Sequence, residues 1–475
     1  MNRRLPAEEP VQPVARDERR ARILSGSLFA AMWRLAMPMM LAALLEDAYN
    51  LTDMYFVGRL GKGAISAVGM GGSVLAVFRI FMIGVTSGAA ALISQAVGAG
   101  RRDRAEAVTG QALLSAGALW VAFVAVAIPL AERSLAGLGA RGGVLADGTA
   151  YLRIMAVGSI AMMLGMTLGS ALRGAGDAVT PMKLMAVGVV INIALDPLFI
   201  FGGLGIPAMG VAGSALASAA SRIVPALLIA RVFFRGRHDQ FHLHKRHFRP
   251  HGRTIAHMFR IGVFGSAQGG LRSVSNLLLI AIAAGFGAAA TDAYVVGMRL
   301  RMVVMMIGMG FGAAAMTLVG QNIGAGLPGR AERAGWTVTG TYAAIAAVLS
   351  VLFWGLAEPL ARLFTDAPDV VALTASYLRW FAACFVMMTL TMVLGQAMIG
   401  AGDTLRPMLV TAFGMLVLRI PLAYLLAWAW GSVIGVWAAL TISIVVEGAL
   451  AAALFRWGPW KRVGAQHLAL AAAYE

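Results

Sequence analysis

Between Leu28 and Phe455 the chain alternates long apolar stretches with short polar or glycine-rich breaks. A helix needs about 20 mostly apolar residues to cross a hydrocarbon core. Twelve stretches meet that requirement: 32–56, 64–96, 107–130, 149–172, 181–202, 210–233, 257–283, 290–319, 334–356, 371–399, 407–429 and 435–455. Most connections are short, so neighbouring helices should be antiparallel. The longest, from about Phe234 to Ala256, separates two sets of six. The pattern predicts an all-α polytopic membrane protein with twelve transmembrane helices in two six-helix lobes. Its parts are a disordered cytoplasmic tail (1–27), an N-lobe (28–233), a basic cytoplasmic linker (234–256), a C-lobe (257–455) and a cytoplasmic C-terminal tail (456–475).

The two halves match at a nearly constant offset of 226 residues. Gln95-Ala-Val-Gly-Ala-Gly100 recurs as Gln321-Asn-Ile-Gly-Ala-Gly326, and Tyr151-Leu-Arg153 as Tyr377-Leu-Arg379. Gly174-Ala-Gly-Asp177 recurs as Gly400-Ala-Gly-Asp403, with Pro181-Met182 matching Pro407-Met408. One offset across so many separated matches indicates duplication. Six spans per half give both halves the same orientation, a parallel repeat about an axis along the membrane normal.

Composition excludes a soluble enzyme or nucleic-acid binder. The 475 residues are 59% hydrophobic and 13% charged, yet the net charge is +17; a typical globular chain is about 45–50% apolar and 25% charged. The basic residues concentrate in the N-terminal segment, the even-numbered loops and the central linker. The odd-numbered loops carry only Arg59, Lys62, Arg133, Arg141 and Arg362. The charge excess is thus a topology signal, placing both termini in the cytoplasm of a bacterial-type inner (plasma) membrane, and it calls for no nucleic acid. No secretory signal is evident.

Other motifs resolve to structure. Gly98-Ala-Gly100 and Gly174-Ala-Gly176 lack the Lys-Ser/Thr of a phosphate loop and fit helix ends in the left-handed conformation. Thr180-Pro181 fits an N-cap followed by a first-turn proline. Gly84/Gly88, Gly165/Gly169 and Gly308/Gly312 suit close helix packing in lipid. Six of the seven histidines fall between His238 and His257. His242-x-His244-x-x-His247 could hold a metal loosely, but a solvated linker beside anionic headgroups is the better reading, and no metal is assigned. Cys384, the single cysteine, excludes an intrachain disulfide and belongs to an apolar run. No nucleophile–base or zinc spacing occurs in the spans, so the expectation is a non-enzyme without catalytic residues or cofactor.

Acids within spans are costly and therefore candidates for function. They are Glu46, Asp47 and Asp53 in span 1, Asp196 in span 5 and Glu447 late in span 12; Asp292 sits at the outer edge of span 8. At about 100° per residue, Ala42, Glu46, Tyr49, Asn50 and Asp53 share one face, with Asp47 about 120° from Asp53. Asn192 and Asp196 share a face of span 5. Together these helices can form a small acidic pocket for a proton or a hard cation such as Na+; a polar packing cluster is the competing reading. The duplicate lacks it, since Asp53 falls on Leu279 and Asn192 on Leu418. Glu46 falls on Arg272, which allows an inter-lobe ion pair that forms in one access state; pairing of each within its own lobe is the alternative. Methionine is abundant, with 28 residues and a cluster from Met298 to Met316, and suits either a promiscuous apolar binding wall or plain packing.

Leu51-Thr-Asp53-Met-Tyr-Phe-Val-Gly-Arg-Leu-Gly61 resembles the first-span motif of the multidrug and toxic compound extrusion (MATE) family. Gln95-x-x-Gly-Ala, Arg173-Gly-Ala-Gly-Asp177, Asn192-Ile-Ala-Leu-Asp-Pro197 and Leu418-Arg-Ile-Pro-Leu-Ala-Tyr424 resemble other motifs of that family. The resemblance covers about 28–455. It implies two lobes around a V-shaped cavity and export of amphipathic, often cationic drugs and xenobiotics in antiport with H+ or Na+, by a monomer in the bilayer. It implies a cation-coupling site at Asp53, Asn192 and Asp196, with Tyr151 and position 214, here Ser214 where relatives often carry Thr. One branch of the family uses a span-7 carboxylate, where this chain has Arg272, and span 10 has no acid. That departure favours coupling through the N-lobe alone. A lipid-linked sugar flippase of the same superfamily is the alternative, and would need a more cationic cavity for pyrophosphate. A passive channel or receptor is a further rival.

Overall fold

In a hydrocarbon environment a segment must satisfy its own backbone polar groups, and a helix does so without a partner. The computed structural model describes residues 20–234 and 241–464 and is built almost wholly of helices. The N-lobe comprises α1 (Leu28–Gly58), α2 (Lys62–Gly98), α3 (Arg102–Gly137), α4 (Gly142–Gly174), α5 (Val179–Phe201) and α6 (Gly210–Phe234). The C-lobe comprises α7 (Gly252–Ala284), α8 (Ala288–Gly324), α9 (Pro328–Gly355), α10 (Pro368–Ala382 with Phe385–Gly400), α11 (Leu405–Trp430) and α12 (Ile434–Trp457). Many helices extend past their apolar stretches. Among the described residues, eleven helices are long and apolar enough to cross a membrane on their own.

The twelfth, α10, is broken. Pro368–Ala382 and Phe385–Gly400 meet at 59° around Cys384, so span 10, expected as one run over 371–399, is a bent pair. A widened turn at Leu390–Leu394 follows, and α11 carries another at Phe413–Leu418. Cys384 is fully buried.

Glycine ends the helices where the repeat places it. Gly100 and Gly326 have φ of +76° and +73°, and Gly176 and Gly402 of +90° and +91°. L-residues rarely adopt this region, and glycine enters it without strain. After Gly176 the helix is capped by Asp177, not by Thr180 as expected: Asp177 Oδ1 accepts from the Val179 and Thr180 amides at 3.1 and 3.0 Å.

The lobes meet through contacts that obey the duplication. Gln95 Nε2 donates to the Gly400 carbonyl at 2.9 Å, and Gln321 Nε2 donates to the Gly174 carbonyl at 2.9 Å. The Gly98 Cα packs on the Gln321 backbone, and the Gly324 Cα on the Gln95 backbone, so closely that a Cβ on either would collide with a carbonyl. Gly84 on α2 packs against Gly262 and Ser266 on α7, while Gly310 on α8 packs against Ala36 and Met40 on α1. These positions are again 226 residues apart, so the lobes are related by a pseudo-two-fold axis, as the parallel repeat requires. The Gln and Gly98/Gly324 contacts lie at the end where α2 and α8 finish, which is also the end from which α1 starts.

Two expected tails are shorter than their predicted ranges. Residues 20–24 form a helical turn with Ile23 buried, and Arg330 donates to the Ile23 and Gly26 carbonyls. Trp460 is fully buried and stacks on Phe455 at 4.6 Å. The remaining expected tail residues, 1–19 and 465–475, and linker positions 235–240 lie outside the described residues.

Candidate functional site

Helical spacing brings the N-lobe acids together. Tyr49 and Asp53 are one turn apart on α1, and both are buried. Asn192 and Asp196 are one turn apart on α5 and fully buried. Ser214, in the first turns of α6, donates its hydroxyl to Asp53 Oδ1 at 2.6 Å. Asn192 Nδ2 donates to Asp196 Oδ1 at 3.0 Å. The two carboxylates are near enough to interact electrostatically, and Tyr151 on α4 lies within reach of both. Asp53, Asp196, Ser214 and Tyr151 all lie in the halves of their helices away from the joined end. The structure therefore brings the five residues expected for cation coupling into one cluster.

Two acceptor oxygens in the cluster, Asn192 Oδ1 and Asp196 Oδ2, are buried and accept no hydrogen bond from the described residues. Buried polar atoms are normally satisfied. This donor-poor set of hard oxygens suits a proton or a small hard cation. Beside it, Tyr49, Asn50, Asp53, Tyr151 and Arg222 face a cavity of about 460 Å³, the size of a small-molecule site.

The C-lobe repeats the packing without the chemistry. Tyr151 sits against Gly71, where a Cβ would meet the ring at 2.7 Å, and Tyr377 sits against Gly297 in the same way. Yet Leu279, Leu418 and Leu422 stand 226 residues after Asp53, Asn192 and Asp196. Leu279 is fully buried, and Leu422 packs against the C-lobe core. Residues that set helix packing survived in both halves, whereas the acids occur in one.

Glu46 and Arg272 do not pair in this conformation; here Glu46 follows the alternative expected from the sequence, pairing within its own lobe. Glu46 Oε1 lies 3.5 Å from Arg222 Nη2 on α6, and the Arg222 guanidinium covers the Tyr49 ring at 4.6 Å. Arg272 faces Glu447 on α12 within its own lobe. Glu46 finds its opposite charge within its own lobe, whereas Arg272 shares a cavity with Glu447 without an ion-pair contact. In both lobes the first and last helices carry the charges, with acid and base exchanged.

Sequence reasoning missed Arg222 as the partner of Glu46 and missed the C-lobe cluster. Arg419 donates to Glu447 Oε1 and Ser443 Oγ, each at 2.7 Å, with both ionic side chains almost fully buried. Arg301 lies over the Phe381 ring at 5.3 Å. A basic residue in mid-span was the available signal, but partners on distant helices leave no trace in local spacing.

The histidine tract is less solvated than expected. Phe241, Leu243 and His247 are buried against the start of α3. Glu106 accepts from the His242 amide at 2.7 Å, and His247 Nε2 lies 3.3 Å from Asp103 Oδ1. Ligand atoms of Glu106, His244 and His247 lie within 4.8 Å of one another, close enough to share a metal ion. Gln111 clamps the linker further by donating to the His247 and Arg249 carbonyls at 2.9 Å.

Comparison with known proteins gives a consistent picture. The MatE family model matches residues 38–198 and 270–425. A probable multidrug resistance protein NorM of Thermotoga maritima is 27% identical over 440 residues, covering 90% of this chain and 92% of the relative. A crystal structure of MATE in the bent conformation superposes with a TM-score of 0.86 at 25% identity, covering 96% of this chain and 99% of that one. An outward-facing conformation of a multidrug resistance MATE family transporter gives 0.83 at 25% identity, covering 94% and 98%.

Proposed function

The chain belongs to the MATE family of multi-pass membrane transporters, and from that premise we propose that it is a secondary active exporter of amphipathic small molecules. Export runs in antiport with H+ or Na+ bound at Asp53, Asn192 and Asp196, with Ser214 and Tyr151 as supporting groups. One observation carries this reading: two buried carboxylates lie in one lobe, Asp53 lining a drug-sized cavity and Asp196 beside Asn192 with unsatisfied oxygens on both, and leucines replace them in the other lobe.

The mechanism is alternating access. A proton or Na+ changes the charge of the α1–α5 pocket, and the helices around it repack. Coupling requires that drug and ion favour different states; equal affinity for both states couples nothing. The loop charges support an orientation with both termini in the cytoplasm of the inner (plasma) membrane. On that orientation the glutamine contacts close the cytoplasmic end, so the described conformation faces outward. One chain carries both lobes and works as a monomer.

Efflux from vesicles with pH and Na+ gradients imposed separately tests this. One gradient should drive accumulation against the substrate's own gradient, and Asp53→Asn should abolish the drive at equal expression. Transport that stays downhill and ignores both gradients would return the chain to the channel class. A second reading, a lipid-linked sugar flippase, is favoured by the arginines that converge on the C-lobe cavity. Rescue of drug-hypersensitive cells supports drug export; rescue of a cell-envelope defect supports the flippase.

A further inference from the structure

We propose that the C-lobe cavity is an anion subsite, and that the exported molecule is an amphipathic anion carrying a carboxylate or phosphate group. The inference rests on the transport reading above and departs from the cationic substrates that the family resemblance implies.

The charge balance carries the argument. Arg272, Arg301 and Arg419 line a cavity of about 80 Å³ together with Glu447. Among the described residues that line it, three guanidinium groups face one carboxylate. That carboxylate is committed to Arg419 at 2.7 Å, and both partners are about 96–97% buried. Neither Arg272 nor Arg301 has a carboxylate within ion-pair distance among the described residues, and the Nε atom of each is buried without a hydrogen-bond partner. Placing a charge in a membrane span is costly, and a buried cation without its counter-charge is costlier still. The usual resolution is a pair inside the protein, which Glu46 and Arg222 achieve in the N-lobe. Arg272 and Arg301 lack that resolution, and an anionic ligand supplies it.

Size and shape agree. The cavity holds a headgroup rather than a whole drug, whose pockets run to about 300–1,000 Å³. Guanidinium forks match carboxylate and phosphate oxygens in bidentate geometry. Met305, Met388, Met392 and Met415 form the adjoining wall, and flexible thioethers accept apolar bodies of varied shape. The lobes thus divide the work: acids in the N-lobe hold the coupling cation, and arginines in the C-lobe hold the acidic head of the substrate.

Reconstitution in phosphatidylcholine vesicles tests the assignment with three probes: carboxyfluorescein, ethidium and a fluorescent phosphatidylglycerol. Carboxyfluorescein should bind about tenfold or more tightly than ethidium, and Arg301→Gln or Arg272→Gln should weaken its binding about tenfold or more. Arg301→Lys, which keeps the charge, should retain most of it. Because the wild-type preference is itself a readout, the test does not depend on any variant folding. Transport of ethidium without carboxyfluorescein, or glutamine variants that bind carboxyfluorescein as the wild type does, would overturn the anion subsite. If phosphatidylglycerol crosses and carboxyfluorescein competes with it, the anion is a lipid headgroup; if only carboxyfluorescein moves, it is a free solute. Gradient-driven ethidium export alone sinks the anion subsite and leaves the exporter intact. Arginine-dependent carboxyfluorescein binding with no gradient-driven movement of any probe sinks the exporter and leaves the subsite intact.

Discussion

Gly98→Ala and Gly324→Ala should each destabilise the conformation closed at the terminal end. The Gly98 Cβ would collide with the Gln321 carbonyl, and the Gly324 Cβ with the Gln95 carbonyl. Both obstacles are helix backbone, so no side-chain rotation relieves them; the lobes must part by roughly an ångström. Overpacking of this kind costs about 1–3 kcal/mol, which corresponds to about a 5–160-fold shift in the closed-to-open ratio. The same displacement also stretches the Gln95–Gly400 and Gln321–Gly174 hydrogen bonds, now 2.9 Å each. Because the two contacts are related by the pseudo-two-fold axis, the single variants should behave alike. The double variant should cost less than their sum, since the first methyl already separates the surfaces the second would meet. Spin labels at Arg102→Cys and Gly329→Cys, one on each lobe, in a Cys384→Ala background, report the gap by dipolar distance measurement. Both single variants should populate a longer distance. A distance distribution identical to that of the parent in both singles, or strict additivity in the double, would refute the packing argument.

Three further outcomes follow from the same geometry. Ser214→Ala removes the 2.6 Å hydrogen bond to Asp53 and should lower gradient-driven efflux about tenfold or more, since such bonds to charged groups contribute about 1.5–3 kcal/mol; Ser214→Thr should keep the activity. Glu447→Gln strips Arg419 of its buried carboxylate and should destabilise the C-lobe by about 3–5 kcal/mol, read as a lowered thermal unfolding midpoint in detergent; an unchanged midpoint would speak against that pair. Glu106→Ala releases the His242 amide and the neighbourhood of His247 and should speed hydrogen exchange over residues 241–249, with little change elsewhere.

The helices were legible because their cause is local. A run of apolar residues in lipid has one economical backbone solution, and glycines at a fixed offset end the helices in both halves. The N-lobe cluster was partly legible for the same reason: Asp53 and Tyr49, like Asn192 and Asp196, are one turn apart on single helices. Ser214 entered only through the family resemblance, because a hydroxyl on α6 carries no local mark of an acid on α1. The break in α10 at Cys384 was invisible within an unbroken apolar run, where hydropathy reports burial and not direction.

Sequence by itself therefore determined the succession of apolar stretches, the duplication, and the asymmetry that sets Asp53 and Asp196 in one half against leucines in the other. Tertiary structure decided which charges meet. Glu46 chose Arg222 over Arg272, Glu447 chose Arg419, and two arginines were left facing a cavity, because electrostatic partnership depends on distances between helices that lie far apart along the chain. The repeat offset relates equivalent positions; only the folded lobes set which of them touch.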